Sequence, residues 1–291
     1  MGGWSRHHRT VNSRGKMEWD AVESFVVKSG SVAEPSPQFT LAETDQFLRD
    51  GFLVVSGLVS EADLRQMRLT TERGVRDEIA PVEYEAELHY PGSPESLDAV
   101  GGRTIRRLKQ AHSRDFLFTE WMLRPAILGR LQQLLGQRVI CPLAHHNCIM
   151  TKQPQFSSAT GWHQDIRYWS YTRPELVNVW IALGNERPEN GCLQVIPGSH
   201  RLPLEQSRFD DDLFFRSDLL ENQPLIATKQ FVEMAPGDVL FFHCKTLHAA
   251  SRNVTDETKC SAVFTFRAGD NPPLANSRSA ALPELLLTPG L

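Results

Sequence analysis

The chain has 291 residues, 41% of them hydrophobic and 23% charged, the balance of a soluble globular protein with room for one large domain. A formal net charge of −4 excludes the basic footprint that nucleic-acid binding requires. Five cysteines, an odd number with no CxxC pair, exclude a disulfide scaffold and a cysteine zinc site and point to a reduced, cytoplasmic chain. No run reaches the roughly 20 apolar residues of a membrane span.

The opening stretch, Met1 to Lys16, is polar and basic and has no apolar segment, so it does not read as a signal peptide; Met17 is an alternative natural start. With the lead-in from Ser29 to Pro37, residues 1–37 read as a flexible segment and 38–291 as a single domain. Thr40 to Glu43 is a capping box that opens a helix through Phe47 and Leu48, stopped by Gly51. Phe52 to Val55 reads as a buried strand. Ser60 caps a second helix with Leu64, Met67 and Leu69 towards the core. Pro81 to Gly102 lacks periodicity and reads as a long loop, a candidate lid. Arg103 to Lys109 carries four basic residues beside Ile105 and Leu108, either an anion contact or a solvated strand edge. Phe116 to Leu135 has helical spacing, broken near Pro125 and ended by Gly136.

From Ile140 onward, short apolar runs alternate with turn signals, the pattern of an antiparallel all-β fold. His145 and His146 fall in the first of these runs, where neighbours point to opposite faces, so at most one faces a cavity and a structural role is favoured for both. Val177 to Leu183 is a strand, Asn190-Gly191 a hairpin signal, and Pro236-Gly237 a turn that launches Asp238 to Phe242. Ala262 to Phe266 reads as the closing strand. The whole suits a mainly β fold with flanking helices around a double-stranded β-helix, that is, a cupin-like jelly roll able to hold a ligand inside.

The organising stretch is Trp162-His163-Gln164-Asp165. On extended backbone, a histidine and a carboxylate two residues apart project from the same side and can reach one divalent metal. A third ligand has to come from elsewhere, and the chain offers His248 with His243 as its competitor. Two histidines and one carboxylate on one face of an octahedron make the facial triad of non-haem Fe(II) oxygenases. Tyr168, Trp169 and Tyr171 follow the metal strand and either line a substrate cleft or pack in the core.

The run from Trp162 to Arg267 resembles the phytanoyl-CoA dioxygenase family of Fe(II)- and 2-oxoglutarate-dependent oxygenases. The matching pieces are His163-Gln164-Asp165, then Val179 to Leu183, then Glu189-Asn190-Gly191-Cys192-Leu193 with Ile196-Pro197-Gly198-Ser199-His200, then Gly237-Asp238, and His248 leading into Asn253. With Gly51 to Val54 included, the likeness covers roughly residues 40–270, and five motifs in the right order make it specific. The resemblance implies that His163, Asp165 and His248 bind Fe(II), because the Asn253 and Lys259 spacing fits the family only from His248. That leaves His243 a supporting or core role and His200 a structural one. It further implies 2-oxoglutarate as co-substrate with O2, succinate and CO2 as products, and hydroxylation of an unactivated C–H bond of a small-molecule substrate. Halogenases of this kind lack the carboxylate, so Asp165 favours hydroxylation.

This chain departs from the family at the co-substrate. The family's arginine, eleven residues after the second histidine, is Lys259 here, and its serine two residues after that histidine is Ala250, with Ser251 adjacent. Arg107, with Arg106 or Lys109, falls where members use an assisting basic residue, and Arg267 is another possible replacement. Gln164, Trp180 and Cys148 fall where the family contacts the co-substrate. Arg167, Tyr168, Trp169 and Arg173 suit a polar or anionic substrate, a Kdo-type sugar being one candidate. The alternatives are a non-catalytic metal- or ligand-binding barrel, motivated by Lys259 and Ala250, and a zinc hydrolase, disfavoured because no HExxH-type base is present. The oligomeric state stays open.

Overall fold

Thirteen strands form two antiparallel sheets in the computed structural model, which describes residues 36–288. Residues 1–35, most of the segment expected to be flexible, lie outside the described residues. In chain order the strands are β1 (Phe52–Val55), β2 (Val82–Tyr84), β3 (Ile105–Lys109), β4 (Val139–Pro142), β5 (Asn147–Lys152), β6 (Thr160–His163) and β7 (Leu176–Ala182). There follow β8 (Leu193–Val195), β9 (Gln230–Phe231), β10 (Val239–His243), β11 (His248–Ala250), β12 (Lys259–Ala268) and β13 (Glu284–Leu287). The larger sheet runs β1-β10-β7-β12-β5-β3-β2, with β4 bridging β12 and β13; the smaller runs β6-β11-β8-β9.

Two helices open the described chain: α1 (Leu41–Asp50) and α2 (Glu61–Arg76). The Thr40–Glu43 capping box starts α1 as expected, and Gly51, at φ +80°, ends it. A Cβ on Gly51 would lie 2.3 Å from His200 Nδ1, so the position requires both the left-handed backbone and the missing side chain. Ser60 caps α2 and Leu64 and Met67 are buried, but Leu69 is exposed, contrary to expectation. The single short turn α3 (Ala111–Arg114) precedes α4 (Phe116–Leu123) and α5 (Pro125–Leu135), and the break between these two falls at Pro125 as the sequence predicts.

The larger sheet is covered on both faces, which explains why its strands read as nearly unbroken apolar runs. Along β7, Val177, Val179 and Ile181 point to the helix side, where Trp121, Leu128 and Leu131 meet Phe241, Phe264 and Phe266. Trp180 and Ala182 point the other way, towards Leu193, Val195 and Ala250 of the smaller sheet. Burying each such large side chain contributes roughly 1.5–3 kcal/mol. The space between the sheets is a jelly roll's interior, and it tolerates polar groups only where they are partnered.

Three expectations change here. The 81–102 segment is not all loop: β2 lies inside it, followed by a 3₁₀ turn at Glu85–Glu87. Asn190-Gly191 closes no hairpin, because β7 and β8 belong to different sheets; Gly191 instead ends a 3₁₀ turn at φ +77°. The segment around Ala262 does not close the fold but sits in its centre, since β12 pairs with β7, β5 and β4. Local patterning reports burial, not the order of strands across a sheet.

Candidate active site

His163 ends β6 and His248 begins β11, and the two are direct cross-strand partners, so 85 residues of separation become neighbouring imidazoles with centroids 4.1 Å apart. Asp165 lies past the strand in a 3₁₀ turn, but Gln164 between them keeps extended dihedrals (φ −110°, ψ 134°), which preserves the same-side projection. Asp165 Oδ1 is 3.6 Å from each histidine Nε2, and one donor atom from each of the three residues falls within 4.8 Å of the others. All three are buried.

The donor atoms are held from behind. His163 Nδ1 donates to the Gly161 carbonyl at 2.8 Å and His248 Nδ1 to the Thr246 carbonyl at 2.9 Å. Both rings therefore present an unprotonated Nε2 to the shared centre, the arrangement metal-ligating histidines need. Asp165 Oδ2 accepts from Asn178 Nδ2 at 2.7 Å, and Asn178 Oδ1 accepts from Thr265 Oγ1 at 2.6 Å, so β7 and β12 of the larger sheet orient a ligand carried next to the smaller one. Burial and the neighbouring His248 depress His163 to about 3, which keeps it neutral. Burial alone would raise Asp165, but His146 and His248 hold it well below the usual carboxylate range. A neutral histidine pair with an ionised carboxylate is the donor set that a divalent first-row metal takes.

His243 does not join them. It ends β10, accepts the Lys245 amide N–H at 3.1 Å, and sits 5.3 Å from the His200 ring. His146, by contrast, is closer to the centre than the sequence suggests. Residues 143–146 form a turn between β4 and β5 and not a strand, and His146 Nε2 lies 3.0 Å from Asp165 Oδ1. His145 lies farther out, stacked on Trp169 and bonded to Ser279 Oγ at 3.0 Å. Both histidines line the outer cavity, contrary to the expectation that at most one would, because they sit on a turn and not a strand; His145 makes structural contacts while His146 reaches Asp165.

Two chambers meet at the triad, sharing Arg107, His146, Thr160, His163 and Asp165 as wall. The inner one, ≈ 610 Å³ including its opening, runs between the sheets past Trp180 to Lys259, Lys152 and Arg106. Lys259 Nζ donates to Glu186 Oε2 and to Ser261 Oγ, both at 3.2 Å, and lies 5.1 Å from the Trp180 ring centre. Glu186 also accepts from Trp180 Nε1 at 2.7 Å. Arg106 is paired with Glu85 at 3.3 Å and bonded to Ser158 and Thr160, while Arg107 pairs with Glu83 at 3.2 Å. Ala250 lines this chamber, whereas Ser251 turns out of it towards the Pro188 carbonyl. Gln164 also leaves it, donating to the Lys245 carbonyl at 2.6 Å, and Arg267 is engaged with Glu284. Cys148 lies in the wall of the outer chamber and packs beside Trp180 in the inter-sheet core.

The outer chamber has an empty volume of ≈ 1310 Å³, opening included, and is built largely from loops: Tyr90, His145, Arg167, Tyr168, Trp169 and Arg278 contribute. Tyr171 is buried with Leu176 and Cys244, and Arg173 pairs with Asp270 and Glu175 at the surface, so neither serves it.

A family model described as Phytanoyl-CoA dioxygenase (PhyH) matches residues 47–261. The chain belongs to that family. It is accordingly a 2-oxoglutarate-dependent dioxygenase that works with Fe(II) and O2, which sets aside the non-catalytic barrel and the zinc hydrolase. The mouse protein "Phytanoyl-CoA dioxygenase, peroxisomal" is 26% identical over 247 residues, 79% of this chain and 69% of the relative. "L-proline trans-4-hydroxylase" of Streptomyces griseoviridis is 26% identical over 246 residues, 77% of this chain and 85% of the relative. Among solved structures, EctD from S. alaskensis with 2-oxoglutarate and 5-hydroxyectoine superposes with a TM-score of 0.65 at 19% identity, covering 83% of this chain and 80% of that one. At that identity the likeness speaks for the jelly-roll fold. No helix among the described residues is long and apolar enough to cross a membrane.

Sequence reasoning missed Asn178, Glu186 and Lys152. Asn178 had a signal, a lone polar residue inside an apolar strand. Glu186 and Lys152 had none, because their partners are remote in sequence.

Proposed function

We propose that this family member hydroxylates an unactivated C–H bond of a small, anionic, polar metabolite, with Fe(II) held by His163, Asp165 and His248. A Kdo-type sugar acid is one candidate. The observation that carries the substrate class is the charge of the outer chamber. Its Glu83 is taken up by Arg107 and Lys109, while Arg167 and Arg278 have no carboxylate partner among the described residues. Arg167 instead lies over Phe214 and Tyr168, with ring centres 4.1 and 4.7 Å away, and touches the Asp212 carbonyl. A guanidinium set against aromatic rings and lacking a carboxylate partner is suited to a carboxylate or phosphate.

When bound, iron would let 2-oxoglutarate and O2 react together, one oxygen atom of O2 ending in succinate as CO2 leaves and the other in the new hydroxyl of the substrate. The protein's own residues do the positioning. Arg167 and Arg278 anchor the anionic group, and Tyr90, Tyr168 and Trp169 wall off water. The thread from Thr265 through Asn178 holds Asp165 in place, keeping the reacting centre fixed relative to both chambers.

The test is succinate release with Fe(II) and 2-oxoglutarate across a panel of sugar acids, amino-acid derivatives, neutral analogues and acyl-CoA esters. Stimulation by small acids, lost on esterification of the acid, is the expected result. Stimulation by acyl-CoA esters or neutral compounds above that of every small acid would overturn the substrate class.

A further inference from the structure

Lys152 and Lys259 are direct cross-strand partners on β5 and β12. Their side chains therefore project from the same face into the same buried space, an arrangement that is unfavourable unless anions separate the charges. One anion is present. Glu186, fully buried, takes Lys259, Ser261 and the Trp180 N–H. Arg106, the third cation at this end, has Glu85. Lys152 is 8% exposed, donates to the Ser158 carbonyl at 2.7 Å, and has no carboxylate partner among the described residues. Three cations face two carboxylates, and the surplus charge belongs to Lys152.

We propose that Lys152, rather than Lys259, is the cation that receives the distal carboxylate of 2-oxoglutarate in this chain. Lys259 stands where the family's arginine would, but its charge is already matched by Glu186 inside the protein. Lys152 lines the same chamber, and a monoanionic group entering there completes the charge balance. The backbone makes room for it. Gly191, at φ +77°, lies against the lysine stem, and a Cβ there would come 2.8 Å from Lys152 Cδ and 2.5 Å from the Ser251 carbonyl. This assignment rests on the family's co-substrate and not on the substrate class proposed above, so either can fail alone.

The surroundings of Lys152 disfavour its charge. Burial, with Arg106 and Lys259 nearby and Glu85 and Glu186 partly offsetting them, lowers Lys152 to about 7. An arriving carboxylate favours the charged form and raises it again. Affinity for 2-oxoglutarate is then greatest below pH 7 and falls as the pH rises above it, by at most roughly tenfold per unit, because binding must carry a proton in. The groups facing Lys152 that also bear on this profile are Arg106 on β3, Lys259 on β12, and Glu85 and Glu186 on the connecting turns.

The experiment is anaerobic titration of the Fe(II)-loaded protein with 2-oxoglutarate, followed by the visible charge-transfer absorption. The same titration is repeated with 2-oxobutyrate, which lacks the distal carboxylate. Lys152→Met is expected to weaken 2-oxoglutarate binding by roughly 10- to 100-fold while leaving 2-oxobutyrate within threefold. Iron affinity is expected to be unchanged and the melting temperature equal or higher, since an unpaired buried charge has been removed. Lys152→Arg is expected to retain binding and flatten the pH profile. Neutralising the other pair together, Lys259→Met with Glu186→Gln, is expected to cost less than Lys152→Met. A Lys152→Met protein that binds 2-oxoglutarate within threefold of the wild type overturns the assignment, as does a larger loss from the Lys259/Glu186 double variant.

Discussion

The two chambers that share the triad are made of different material. The inner one is walled by paired strands, and its charged groups, apart from Lys152, are matched by buried carboxylates on neighbouring segments. The outer one is walled largely by turns at 143–146, 167–169 and 278–282, and two of its guanidiniums, Arg167 (which lies over Phe214) and Arg278, have no carboxylate partner among the described residues. Strand-borne groups are positioned by ladders that cannot shift without breaking the sheet. Loop-borne groups can change identity at little cost to the fold. The division matches the chemistry: the co-substrate is common to the family, and the substrate differs between the relatives named above.

The contrast can be broken most severely where the chambers join. His163→Ala or His248→Ala should abolish the charge-transfer band and succinate release together, since each removes a proposed iron ligand and exposes both chambers to the loss. Asn178→Ala sharpens the point from the strand side. It leaves every proposed ligand in place but frees Asp165 Oδ2, and should weaken Fe(II) binding by roughly 10- to 100-fold in a metal competition assay. Arg167→Gln tests the loop side. It should raise the KM for the acidic substrate by about tenfold, with the 2-oxoglutarate titration unchanged, because a charge-assisted contact is lost only in the outer chamber. The smallest effect belongs to Arg173→Ala, a surface residue ion-paired to exposed Asp270 and Glu175. It should leave the melting temperature nearly unchanged and KM unaltered, since exposed ion pairs are screened by solvent.

Much of this molecule is legible in its sequence. The capping box at Thr40, the break at Pro125 and the apolar strand 176–182 depend on local backbone chemistry, and each forms where its residues predict. His163 and Asp165 were readable for the same reason, as two residues apart on extended chain share a side. Arg173 and Ser251 misled because residue type says nothing of direction at a turn: both lie near the right segments and point elsewhere. The two histidines at 145 and 146 were read on the geometry of a strand, and the turn that replaces it sends His146 to Asp165.

By itself, the sequence determined the identity of the elements, the family and the types of side chain available for metal and anion. Only the tertiary structure decided which of them meet. Strand pairing places His163 opposite His248 and Lys152 opposite Lys259, and the inter-sheet packing brings Asn178 to Asp165. The physical reason is range. Propensity and capping act over a few residues, whereas charge balance in a buried chamber depends on every group within several ångströms, and here those groups come from five separate stretches between Glu85 and Lys259.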